Sequence, residues 1–286
     1  LGRDVVVICD LWDQAKGEQL EVNGVVYQWS LRDMQKLVVS DYDKLLNELS
    51  QRYGVKWQMR FEAEFLQQDG MLNVIHHIIT NQDALGKSLA PSSGILALRV
   101  PCPTCGLVDK YAKNNVYLDN GQDIFFKCPY HGVFSYNIRS DVHKLQFNCQ
   151  LGNLILGLYY EFASYGYIEI CGSDYAGFWQ EQLLWCHLLK PILIVYTPLI
   201  CDWSGAKVSK SWYLCGDAYK YLCNSGQKYL LNYKTFIEEG KDIGILCGEV
   251  ERWVDELYRL FWAYTVHYMH LLFSGVEVGL GTVHAK

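Results

Sequence analysis

The first clear pattern along the chain is a short β-branched run, Val5 to Ile8, followed at once by Cys9-Asp10-Leu11-Trp12-Asp13. A continuous apolar run of this length predicts a buried parallel strand, with polar groups at its carboxyl end, where open α/β sheets bind ligands. A loop containing Gly17 and Gly24 is expected next. From Ser40-Asp41-Tyr42-Asp43, the residues Tyr42, Leu45, Leu46, Leu49 and Tyr53 recur at helical spacing, and Gly54 ends the run. Val55, Trp57, Met59 and Phe61 alternate with polar residues, which predicts a strand. Met71, Leu72, Val74, Ile75, Ile78 and Ile79 predict a further helix.

From Gly94 to Ile138 the texture changes to short strands, Ile95 to Val100, Asn115 to Leu118, Ile124 to Lys127 and Val133 to Ile138, separated by Gly, Pro and Asn turns. This predicts a β-rich module inserted into an α/β unit. The α/β pattern resumes with a helix over Leu151 to Phe162, a strand over Tyr167 to Cys171, a helix near Gly177 to Leu189 and a strand over Ile192 to Tyr196. Everything beyond Trp212 is expected to be mainly helical. There the aromatic-rich stretch Glu249 to Leu272 is too densely apolar for a surface helix. The boundaries that follow are 1–93 and 144–212 for the two parts of the α/β domain, 94–143 for the insertion, and 213–286 for a helical region.

The 286 residues suffice for one large domain or two modest ones with a self-sufficient core. Half of them are apolar and 14% aromatic, which excludes a disordered or collagen-like chain. The formal charge of -6 argues against coating nucleic acid by bulk electrostatics, while leaving a local basic loop able to contact phosphate. Eleven cysteines, most of them single in apolar stretches, suit reduced core thiols in a cytoplasmic protein better than a disulfide framework. The uncharged stretch Leu145 to Tyr160 is too short and too polar to span a bilayer.

Two cysteine knuckles stand out against that background. Cys102-Pro103-Thr104-Cys105-Gly106 is followed by Cys128-Pro129-Tyr130-His131-Gly132, with 22 residues between Cys105 and Cys128. Each places two ligands on a tight turn that its glycine permits, so Cys102, Cys105, Cys128 and His131 predict a tetrahedral zinc site. Four protein ligands close the shell, which predicts a structural role. The alternative is four reduced residues that happen to lie in this pattern. His143 is better suited to a polar or capping role, and His267 and His270 to core packing.

A second constellation concerns nucleotides. Gly205-Ala206-Lys207-Val208-Ser209-Lys210-Ser211 follows a predicted strand and carries two lysines with hydroxyls between and after them, a cationic clamp for charge developing on pyrophosphate. Taken alone it is equally a solvated loop. Upstream, Ile168-Glu169-Ile170-Cys171-Gly172-Ser173-Asp174 ends a strand in glycine and sets Asp174 at the ligand edge of the sheet, where it can accept from both ribose hydroxyls or simply cap a helix.

The ordered combination resembles class I aminoacyl-tRNA synthetases, and most closely the class I type of lysyl-tRNA synthetase. The resemblance covers roughly residues 4 to 235 and rests on Gly172 and Asp174, on Lys207 to Ser211 with Val208 in the Met position of a K-M-S-K-S-type loop, and on the zinc-ligand set. Cys9 to Asp13 is similar to the family's D-x-x-D-like stretch, and Lys144-Leu145-Gln146-Phe147 to its K-L-Q-W-like strand end. The resemblance implies a Rossmann-type parallel sheet with an inserted zinc ribbon. It also implies ATP-dependent amino-acid activation with magnesium, and transfer to tRNA or another acceptor.

In that scheme Lys207 and Lys210 offset phosphate charge, Ser209 and Ser211 bond phosphate and shape the loop, and Gly172, Asp174 and Gly205 serve the nucleotide. Asp10 or Asp13 would hold a substrate ammonium. The chain departs from the family in three places. The H-I-G-H signature has no counterpart before Val5, since His76-His77 lies in a helical pattern and Gly279 to His284 stands at the wrong end. Asn148-Cys149-Gln150 replaces K-x-D-W, which leaves the amino acid open. The family's long C-terminal anticodon-binding region also has no counterpart after Trp212. The expectation is therefore an upstream strand bearing the signature, or a relative without aminoacylation chemistry that binds nucleotide, tRNA or protein. A third reading, another class I-like nucleotidyltransferase such as a cytidylyltransferase, needs its own early histidine signature.

Overall fold

The computed structural model describes residues 4–11, 15–31, 39–118, 120–163, 166–177, 185–190, 192–209 and 218–275. It is a mixed α/β structure with several small parallel sheets. The chain divides into two compact units, Leu1–Tyr167 with Phe178–Ile192, and Ile168–Gly177 with Leu193–Lys286.

In the first unit, β1 (Val6–Leu11) pairs in parallel with β4 (Lys56–Phe61), so that Asp10 stands beside Arg60. The helix Val39–Tyr53 makes the crossover between them. The strand is parallel as expected, but its first residues are not buried: Val5, Val6 and Val7 are exposed, while Ile8 packs on the core and Leu11 is buried. Among the described residues β1 has one paired edge, so only its carboxyl half meets the core.

The expected loop around Gly17 and Gly24 is instead a hairpin of β2 (Ala15–Val22) and β3 (Val25–Leu31). Its two-residue turn is Asn23-Gly24, both at positive φ (51° and 75°), the geometry that matches strand twist across a tight hairpin. β3 then adds antiparallel to β5 (Leu107–Asp109), far away in sequence.

The core of this unit lies between the helices Met71–Thr80 and Cys149–Phe162 and the sheet of β6 (Val116–Tyr117), β7 (Asp123–Cys128) and β8 (Gly132–Asn137). Met71, Val74, Ile75, Ile78 and Ile79 form one buried stripe, and each large aliphatic side chain so buried contributes about 1.5–3 kcal/mol. Asn148 caps the second helix by accepting from the Leu151 N–H at 3.0 Å.

No strand forms over Ile95 to Val100. Leu96, Ala97, Leu98 and Val100 are all buried, and the chain runs extended with a single backbone bridge between Arg99 and Gln146. Side chains take the place of a strand partner: Asn115 Nδ2 donates to the Leu98 carbonyl at 2.7 Å and Tyr117 OH to that of Leu96 at 3.1 Å.

In the second unit β9 (Ile168–Gly172) pairs in parallel with β10 (Leu193–Thr197), and β11 (Leu199–Cys201) with β12 (Ala263–Thr265). The remainder is mainly helical, as expected. Asn232, Asp242 and Thr265 cap three of its helices through their side chains. The stretch Glu249 to Leu272 is not one continuous helix. It breaks after Asp255, where the Glu256 carboxylate accepts from Arg259 Nε at 2.6 Å and from Tyr258 OH, tying down a tight turn before β12. The expected helix near Gly177 to Leu189 falls largely outside the described residues. No described helix is long and apolar enough to cross a membrane.

Candidate functional site

The two knuckles come together. Cys102 and Cys105 flank a turn closed by the Gly106 N–H on the Cys102 carbonyl at 2.8 Å, with Gly106 at φ 73°. Cys128 ends β7, and His131 precedes Gly132, which has φ 77° at the start of β8. The four ligand atoms lie within 4.8 Å of one another. Cys105 Sγ and Cys128 Sγ are 3.7 Å apart, and His131 Nδ1 lies 3.6 Å from Cys102 Sγ and 3.5 Å from Cys128 Sγ.

Those separations can be compared with geometry. Metal–sulfur bonds of about 2.3 Å and metal–nitrogen bonds of about 2.0 Å at the tetrahedral angle give S···S edges of about 3.8 Å and S···N edges of about 3.5 Å. Three of the six edges have the lengths of a tetrahedral site, the remainder lie within 4.8 Å, and the cluster could hold a metal ion, consistent with zinc. Burial opposes ionisation of Cys102, but the N–H groups of Thr104 and Cys105 and the neighbouring thiols bring it down to about 7, whereas burial, with the Cys128 and Cys102 thiols, pushes Cys105 up to about 11.

The second constellation lies in the second unit. In the β9–β10 pair Gly172 faces Thr197, so both carboxyl ends finish level. A 3-10 turn, Ser173–Tyr175, follows immediately and presents Asp174. A Cβ atom on Gly172 would stand 2.5 Å from Asp174 Oδ1, so the glycine leaves room for the carboxylate. Lys207 Nζ donates to Asp174 Oδ2 at 2.5 Å and lies 5.9 Å from the centre of the Tyr175 ring. The structure thus brings together two residues that sequence motifs placed in separate segments.

The loop bearing Lys207 is built on Asp202. Its Oδ1 accepts from the Ser204 N–H at 2.8 Å, the Ser204 hydroxyl at 2.6 Å and the Ala206 N–H at 3.2 Å, and Gly205 turns the chain at φ 82°. The Ser204 hydroxyl, followed by these N–H groups, holds the Asp202 carboxyl below the ordinary range. Lys207 bridges to Cys201, and the Ser209 N–H donates to Tyr219 OH at 2.8 Å. Lys210 and Ser211 lie outside the described residues, as does Asp13.

Asp10 lies in the other unit and has a partner of its own. Arg60 donates from Nε and from a terminal nitrogen to its two carboxylate oxygens at 2.8 and 3.0 Å, and again to Tyr160 OH at 2.9 Å. Sequence reasoning named neither Arg60 nor Asp202. Asp202-Trp203-Ser204-Gly205 carries a legible turn signal, whereas the Asp10–Arg60 pair depends on the register of two parallel strands. The chain matches no protein-family model and no curated protein.

Proposed function

We propose that this chain is an ATP-dependent, amino-acid-activating protein of the class I lysyl-tRNA synthetase type. In this reading it has a Rossmann-type nucleotide-binding fold and a zinc ribbon that stiffens the inserted module. The observation that carries the proposal is the meeting of Lys207 with Asp174 at the carboxyl end of the β9–β10 pair, the edge where α/β sheets take nucleotides. ATP would exchange partners there. The α- and β-phosphates draw Lys207 away, and the freed Asp174 carboxylate accepts from the ribose hydroxyls, with Gly172 leaving room beside it.

In the reaction the amino-acid carboxylate attacks the α-phosphorus in line. A P–O bond forms as the bond to pyrophosphate breaks, and Lys207 and Lys210 offset the charge carried away. Ser209 and Ser211 supply hydrogen bonds and loop geometry, Gly205 gives the loop its turn, and magnesium accompanies ATP. Three cysteines and a histidine favour zinc, and four protein ligands leave no open coordination position, so the metal is structural.

ATP–pyrophosphate exchange, scanned over the amino acids with and without tRNA, tests this reading. Exchange with at least one amino acid is expected, and exchange with none refutes activation by this chain. A second reading, a nucleotide-binding relative without activation chemistry, is favoured by the engagement of both Asp10 oxygens by Arg60, which leaves a substrate ammonium to Asp13. It predicts ATP binding without exchange.

A further inference from the structure

We propose that the β2–β3 hairpin belongs to the metal module, and that Trp29 is a positioning residue for the Cys102–Cys105 pair. The inference rests on the reading of the four-ligand cluster as a zinc site. The two ligand pairs are carried differently. Cys128 and His131 sit at the tip of the β7–β8 hairpin. Cys102 and Cys105 sit on a turn whose only continuation into a sheet among the described residues is β5, and β5 is held there by β3, with Trp29 opposite Leu107, Gln28 opposite Val108 and Tyr27 opposite Asp109.

The indole Nε1 of Trp29 donates to the backbone carbonyl of Cys105 at 3.2 Å. That bond fixes the peptide plane of a ligand residue, and through it the direction of the Cα–Cβ bond carrying Sγ. The hairpin is shaped around this contact. A Cβ on Gly17 would lie 2.6 Å from the Trp29 carbonyl oxygen and 3.1 Å from its Cβ, so the cross-strand position admits only glycine.

The grip continues downstream of the ligand turn. The Lys110 N–H donates to the Val26 carbonyl at 3.0 Å, Asn114 Nδ2 to Tyr27 OH at 3.2 Å and Lys113 Nζ to the Gly24 carbonyl at 3.1 Å. Tyr27 and Gln28 are buried. A segment remote in sequence therefore holds the chain from Cys105 to Asn114. Because binding and docking are linked reciprocally, metal binding must tighten the hairpin by the factor by which the docked hairpin tightens metal binding.

The test uses the full chain. Competition between the protein and a chromogenic chelator gives zinc affinity for the unmodified protein, Trp29→Phe and Trp185→Phe, the last an exposed tryptophan outside the insertion. Trp29→Phe keeps an aromatic ring, smaller than the indole, and loses the N–H, and is expected to bind zinc about tenfold more weakly, at the lower end of the range for losing a group that orients a ligand. Trp185→Phe is expected to bind as the unmodified protein does. Hydrogen exchange on the unmodified protein keeps the proposal testable should Trp29→Phe not fold. Removal of zinc is expected to speed exchange at the β3 amides facing β5, while the amides of the helix Cys149–Phe162 keep theirs.

Absence of zinc binding by the unmodified protein refutes the metal reading itself. Zinc binding that is equal in Trp29→Phe, or β3 exchange indifferent to the metal, overturns the hairpin's role and leaves the metal reading standing.

Discussion

Replacing Gly172 with alanine isolates the contact on which the nucleotide reading turns. The backbone at this position, φ -68° and ψ 147°, is one that any residue adopts, so alanine introduces no backbone strain. What it introduces is a Cβ 2.5 Å from Asp174 Oδ1, where ordinary contact begins at 3.4 Å. The carboxylate must retreat by about 1 Å, and it can do so because it is the far end of a flexible side chain. The ion pair with Lys207 is partly exposed on both sides, 48% for the lysine and 31% for the aspartate, so its disturbance costs only about 0–1 kcal/mol. The reduced freedom of alanine in the unfolded chain offsets about 0.4–1 kcal/mol of that.

Stability in urea is therefore expected to stay within about 1 kcal/mol of the parent. ATP binding should not be spared. A carboxylate displaced from two ribose hydroxyls loses charged hydrogen bonds of about 1.5–3 kcal/mol, a weakening of about 10- to 100-fold in Kd by titration calorimetry. A Gly172→Ala protein that binds ATP as tightly as its parent refutes the assignment of Asp174 to the ribose. One that loses several kcal/mol of stability refutes the view that Gly172 is there to make room for a mobile side chain.

Other outcomes follow from the same geometry. The Asp202 carboxyl is held below its ordinary value of 3.8, so its hold on the loop is fully present above that value and is lost as pH falls through the lower, folded one. Protection of the amides across residues 203–206, taken relative to the intrinsic exchange rate at each pH, should fall with acid in the parent, and Asp202→Asn should abolish that dependence; an unchanged acid response in the variant refutes the attribution. Glu249 is completely buried, accepts from Trp253 Nε1 at 2.9 Å and pairs with Arg252, so Glu249→Ala should cost about 1–3 kcal/mol in urea unfolding by leaving the indole N–H unsatisfied and the guanidinium without its carboxylate. A neutral result there shows that the indole finds another acceptor. Ile75→Ala, in the fully buried stripe of the first unit, should cost about 2–5 kcal/mol in the same assay.

The elements that read well from sequence are those whose signal is local. The stripe from Met71 to Ile79 and the run Leu151 to Phe162 need only helical spacing, and the structure adds Cys149, Gln150 and the Asn148 cap to the second. The ligand set needs only two short knuckles, and the structure brings their four ligand atoms within 4.8 Å of one another. Segments that depend on distant partners read poorly. The apolar run Ile95 to Val100 has every mark of a strand, yet its carbonyls are taken by Asn115 and Tyr117 rather than by a neighbouring strand. The stretch around Gly17 and Gly24 lacks a clean two-residue period, and its pairing with β5 cannot be inferred from spacing. The Asn23-Gly24 dipeptide was nevertheless a legible hairpin signal.

The distance along the chain between the β2–β3 hairpin and the cysteine and histidine cluster also bears on the order of events during synthesis. The β2–β3 ribbon leaves the ribosome early, with its tight turn encoded within it, while His131 emerges far downstream. An ion cannot be captured by all four groups until that histidine is out. The β3 edge must wait in water until β5, Leu107–Asp109, has been made. The exposed positions Glu18, Gln19 and Glu21 lie on β2, the opposite edge of that sheet, and keep it polar, which guards it against pairing with a neighbouring chain.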